Sequence, residues 1–170
     1  MNTSDVLQKF ISSLKSFYNI NLLQNQDVPC LYARCDYFEH SQKFMVSKKA
    51  NLWTADCEEF IYVFSAENLS EEIFNSCMDF VNQDWKNQAH IGSGHMYTYV
   101  TPVFICAETS EAVIRKIKKC RIRKNFLFCF HGWMEYHAAL IECKNESTLI
   151  SSNFNGRCVK KMLEKIFCNP

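Results

Sequence analysis

The chain has 170 residues, 48% of them hydrophobic, 22% charged and 14% aromatic, with a net charge of +1. That is the size of one domain, able to bury about 70% of the surface its unfolded chain exposes, and its aromatic content argues against disorder. Four glycines and three prolines exclude collagen-like and low-complexity chains and disfavour turn-dense all-β folds, and a charge this close to zero creates no global field for a polyanion.

The first element is an amphipathic helix. Leu7, Phe10, Ile11, Leu14, Phe17 and Tyr18 recur at helical spacing, with Ser4 and Asp5 placed to cap it. Residues 19–29 read as a connector. Extended segments follow at 30–38, 43–47, 52–54 and 59–64, separated by polar turns at 39–42, 48–51 and 55–58, which predicts an antiparallel meander. Residues 68–71 resemble a capping box, and the helix behind them carries Phe74, Cys77, Met78, Val81 and Trp85 on one stripe. Residues 83–94 form a polar loop. Residues 96–106 are β-branched and aromatic, hence a strand, with Pro102 suggesting an edge position or a bulge. A short helix over 110–119 has acid at its start and base at its end. Residues 125–130 are apolar almost throughout, as in a strand buried on both faces. Gly132 marks a turn or bulge, 134–143 reads as another strand, and Val159, Met162, Leu163 and Ile166 mark a last helix. The order is α-βββ-α-β-α-ββ-α: a single α+β domain over residues 1–170, with a mixed, mainly antiparallel sheet flanked by helices.

Ten cysteines include no C-x-x-C pair; the closest two are Cys30 and Cys35. Most sit in apolar runs, where a thiol acts as a small hydrophobe. The start lacks a basic and apolar leader, and the apolar stretch 126–141 is broken by His131, Glu135 and His137, so it does not read as a membrane span. The expectation is a cytoplasmic protein with reduced thiols, no metal site, no cofactor and no membrane partner.

Gly92-Ser93-Gly94 precedes a strand, whereas a phosphate cradle needs a helix directly behind it. No G-x-S-x-G elbow is present. The segment His131-Gly132-Trp133-Met134-Glu135-Tyr136-His137 is the most suggestive. On a continuous strand His131, Trp133, Glu135 and His137 share one face and would line a ligand pocket. His131 and Glu135 would then lie about 13 Å apart, too far to chelate one ion, and a hairpin at Gly132 would break the shared face. Cys129 and His131 are two apart, as a nucleophile and base would be, but the run around Cys129 predicts an inert buried thiol.

The densest charge feature is 115–124, where Arg115, Lys116, Lys118, Lys119, Arg121, Arg123 and Lys124 could neutralise phosphates, with Phe126 and Trp133 near enough to stack on bases. The opening α-βββ-α-β series resembles the core order of the restriction-endonuclease-like fold. That resemblance implies an acid followed by (D/E)-x-K. Glu142-Cys143-Lys144 and Asp84-Trp85-Lys86 have this form, making Glu135, Glu142 and Lys144 the candidate catalytic residues. The pattern departs from the fold's motif at the meander, where Asp56, Glu58 and Glu59 have no Lys two positions on.

Residues 43–53, residues 96–101, and residues 118–125 running into His131-Gly132-Trp133 are similar to an uncharacterised family of small bacterial and archaeal proteins, a domain of unknown function. The likeness spans about 35–155. It implies a prokaryotic cytosolic protein and carries over no activity. The leading expectation is a non-catalytic binding or interaction module, with a homodimer through an aromatic sheet face or helix as one form. The alternatives are a nucleic-acid binder or metal-dependent nuclease, and a small-molecule enzyme around 131–137.

Overall fold

A computed structural model describes residues 2–23, 28, 30–44, 51–144 and 147–167. The elements are α1 (Thr3–Leu14), β1 (Asn19–Leu22), β2 (Leu31–Phe44), β3 (Asn51–Leu69), α2 (Glu71–Gln88), β4 (His95–Thr109), α3 (Glu111–Lys119), β5 (Arg123–Asn125), a single 3-10 turn (Leu127–Cys129), β6 (Trp133–Tyr136), β7 (Ala139–Lys144), β8 (Ser147–Ser152) and α4 (Arg157–Phe167). All the strands join one mixed sheet. β1, β2 and β3 pair antiparallel in sequence order. β4 lies parallel to β3 and, on its other side, parallel to β6 and then β7. β5 and β8 close that edge antiparallel.

Alternation along the strands sends two apolar sets to opposite faces. Tyr62, Phe64, Phe104, Tyr136 and Leu140 pack against α2 and α3, whereas Ile61, Val63, Val103, Ile105 and Ile141 pack against α1 and α4. Helices on both faces explain why the central strands carry apolar side chains on both sides. The caps are local: Asn2, Ser70 and Ser110 each accept a hydrogen bond from the backbone of the first helical turn. Asn2 takes the place expected for Ser4 or Asp5.

The α+β class and the mixed sheet stand, with several corrections of detail. The expected connector contains β1, a four-residue edge strand too short to show a period. The expected turns at 39–42 and 55–58 lie inside β2 and β3, which pair continuously from Ala33↔Val63 to Lys43↔Trp53. Part of the 43–47 segment and most of the 48–51 turn fall outside the described residues. β4 is central rather than an edge. Pro102 sits between the ladder positions Val100↔Tyr136 and Val103↔Ala139, where its missing N–H costs least. The expected strand at 134–143 is two strands, β6 and β7, and β8 follows them.

The largest difference is at 125–130. That run is a hairpin tip, with Phe128 93% and Phe130 81% exposed. Leu127, Phe128 and Cys129 all have positive φ. The Phe126 and Gly132 backbones close the tip by a hydrogen bond of 3.0 Å. Hydrophobicity alone could not distinguish a doubly buried strand from a projecting turn. Cys129 is therefore exposed on the tip rather than buried.

Candidate functional site

Helices α1 and α4 cover only part of their face of the sheet. Beyond them, at the start of β4, the face continues as polar and aromatic side chains. Register lines them up across five strands: Tyr37 opposite Glu59, Glu59 opposite Tyr99, Tyr99 opposite Glu135, and Glu135 opposite Arg123. The next row runs Glu39, Cys57, Tyr97, Trp133 and Asn125. Two carboxylates therefore flank Tyr99, two strand spacings or about 10 Å apart at their backbones.

Contacts fix the row. The Tyr18 hydroxyl donates to Glu59 Oε2 at 2.7 Å and Thr101 Oγ1 donates to Glu59 Oε1 at 2.8 Å. Arg123 lies 3.3 Å from Glu135 and 5.5 Å from the centre of the Trp133 ring. His137 is 3.4 Å from Glu135 and its ring stacks, tilted, 4.3 Å from Tyr99. Tyr97 stacks on Tyr99 at 4.3 Å. Burial, followed by the charge of Glu59, pushes the Tyr18 phenol above its ordinary range; burial, then Glu135 and Glu59, does the same to Tyr99. Both phenols therefore offer a proton and a neutral ring. Where α4 meets the row, Tyr18, Glu59, Tyr99, His137, Cys158, Val159 and Met162 line an open cleft of about 240 Å³. Larger depressions lie along α1 and β1, beneath the β5–β6 tip, and beside Asp36, Glu58 and His90; in this one Glu59 of the row and His137 meet α4.

Of the four residues expected to share a face, Trp133, Glu135 and His137 do. His131 does not: Gly132, at φ +66°, breaks the strand before it. The His131 carbonyl instead accepts a hydrogen bond of 2.7 Å from His95 Nδ1. Register between distant strands adds Glu59, Tyr97, Tyr99, Thr101 and Tyr18, which no local motif marks.

Glu142 and Lys144 pair with each other at 3.1 Å. Glu142 follows Leu140 onto the α2–α3 face, whereas Glu135 shares the opposite face with Trp133. Asp84, of the other acid-x-Lys triplet, is an anchor: it accepts from Arg34 at 2.9 Å and from Tyr62 at 2.8 Å, tying α2 to the sheet. No group of three or more possible metal ligands occurs among the described residues.

The seven basic residues at 115–124 are spread over α3, the segment after it and β5. Lys116 pairs with Glu71 at 2.6 Å and Arg123 is drawn onto Glu135. Arg115, Lys118 and Lys119 belong to α3 or its last turn. Arg121 lies 5.9 Å from the ring of Phe154, which Arg157 approaches from 4.2 Å, while Lys124 lies over Phe126. No described helix is long and apolar enough to cross a membrane.

A family model described as Domain of unknown function (DUF8052) matches residues 2–165, nearly the whole chain, and the chain belongs to that family. No curated protein and no solved structure matches it.

Proposed function

We propose that this member of the DUF8052 family is a non-catalytic binding module whose small-molecule ligand sits on the uncovered half of the sheet, in the row from Tyr37 to Arg123. The observation that carries this reading is the register that sets Glu59, Tyr99 and Glu135 side by side on one face. Concave sites with apolar walls and a few convergent polar groups are the usual form of small-molecule pockets. A binding role suits the carboxylates: both Glu59 oxygens are held by neutral hydroxyls, which fixes a charge in place rather than freeing a base to move a proton. Several cysteines, Cys35, Cys57, Cys106 and Cys143 among them, are buried as thiols, which supports a reducing, cytoplasmic setting.

The test is a thermal-shift panel of small cations, anions and neutral sugars, with hits mapped by amide and indole NMR. A ligand that moves the Trp133 indole and the Tyr99 amide supports the reading. Hits that all map elsewhere overturn it.

A second reading, nucleic-acid binding, is favoured by one observation: Arg121 and Arg157 flank the ring of Phe154 from separate elements. Cations beside an exposed ring suit a phosphate next to a base. The nuclease form of this reading draws no support from Glu135 and Glu142, which stand on opposite faces of the sheet.

A further inference from the structure

We infer that the ligand of the sheet face is a small organic cation with an ammonium or guanidinium head, seated against Glu59 in the cleft lined by Tyr18, Tyr99, His137 and Met162; this rests on the binding reading above. Tyr99 has a carboxylate on each side, and the two sides differ in one respect. On one side Glu135 has a cation: Arg123 reaches it at 3.3 Å and lies 5.5 Å from the Trp133 ring. The surface thus already holds a guanidinium between a carboxylate and an aromatic face. On the other side, Glu59 has the same kind of surroundings and no basic partner among the described residues. Its oxygens receive two hydroxyls, Tyr18 and Thr101, which orient the charge without neutralising it.

The cleft beside Glu59 matches such a head. Its volume of about 240 Å³ suits a small group, and Tyr18, Tyr99, His137 and Met162 line it with Glu59. A cation over a ring face within about 6 Å is attracted by the ring quadrupole, more strongly when partly desolvated. An anion would meet two carboxylates, Glu59 in the cleft and Glu135 on the far side of Tyr99. A neutral ligand would leave the Glu59 charge half-buried and uncompensated.

The experiment titrates full-length protein by amide NMR with choline, with agmatine, with 3,3-dimethylbutan-1-ol (the uncharged isostere of choline), and with inorganic phosphate and acetate. Choline or agmatine should move the Tyr99, Glu59 and His137 amides, and the isostere should bind at least tenfold more weakly. Glu59→Gln should weaken the cation at least tenfold. Thermal melts check that this variant folds. Equal binding of choline and its isostere, or binding of phosphate or acetate at these amides, overturns the cation assignment while leaving the sheet-face site standing. Tight cation binding that survives Glu59→Gln also overturns it. If no probe of any charge moves these amides, both the cation and the site are overturned.

Discussion

Gly132 and Met96 approach so closely that a Cβ on Gly132 would lie only 2.0 Å from the Met96 carbonyl oxygen. Gly132 also has φ +66°, where L side chains are disfavoured. The contact lets β6 begin beside β4 directly after the hairpin tip, which sets the register placing Trp133 opposite Tyr97. Gly132→Ala should therefore cost about 3 kcal/mol or more, combining left-handed strain with overpacking. Denaturant unfolding of the variant measures this, and a loss under about 1 kcal/mol would show that the strand start is soft.

How much of this was legible follows physical lines. The helices were readable because each has one apolar stripe, and two have a serine cap before it, as with Val113 and Ile117 behind Ser110. The outer parts of β2 and β3 were not, because beyond the helices Glu39, Asp56 and Glu58 stand in strands without the apolar pattern that marks a covered face. The candidate site was half legible. Trp133, Glu135 and His137 alternate along a single segment, so period two finds them. Glu59 and Tyr99 join them only through parallel pairing, which no local spacing encodes.

Asn153 is nearly fully buried and holds three backbones together. Its amide donates to the Cys120 carbonyl at 2.9 Å and the Tyr136 carbonyl at 2.7 Å, and its oxygen accepts from the Gly156 amide at 2.7 Å. It thereby ties the end of α3, the β6–β7 break and the start of α4. Asn153→Ala would leave these groups unpaired and should cost about 2–4 kcal/mol. Asn153→Asp should also destabilise, since a carboxylate cannot donate to two carbonyls. Chemical denaturation of both variants is the check, and a wild-type midpoint for Asn153→Asp would contradict the assigned donor role.

Phe128 combines φ +52° with 93% exposure. It has almost no packing to lose and a left-handed backbone to relieve. Phe128→Gly should then raise stability by about 0.5–1 kcal/mol, the left-handed penalty outweighing the extra unfolded-state entropy of glycine. Thermal melts decide it. A destabilised variant would mean that the ring makes contacts worth more than its backbone strain.

Burial pushes the thiols of Cys35, Cys77 and Cys106 up to about 12. In the unfolded chain they ionise near pH 8.5 to 9. Above that point the unfolded state binds fewer protons than the folded state, so stability falls as pH rises. Below it these groups contribute no slope. The loss should reach about 1.4 kcal/mol per pH unit for each thiol between roughly pH 9 and 12. Urea midpoints should be flat from about pH 7 to 8.5 and then drop. Iodoacetamide should label exposed Cys129 and Cys158 well before these three at neutral pH, and early labelling of Cys106 would contradict its burial.

The basic run makes the last prediction. Seven cations acting together on duplex DNA would give a salt slope near −6, at about −0.9 per phosphate. In the fold several of them have partners of their own. Lys116 is held by Glu71 and Arg123 by Glu135, and Lys124 turns toward Phe126, so the coherent group is Arg121 and Arg157 around Phe154. Any nucleic-acid affinity should then show a slope of about −2, and Arg157→Ala, outside the sequence cluster, should weaken it as much as Arg121→Ala. Fluorescence anisotropy of a labelled oligonucleotide across a KCl series measures both quantities. A slope near −6, or an Arg157→Ala variant that binds like wild type, would return the binding role to the linear cluster and remove it from the edge around Phe154.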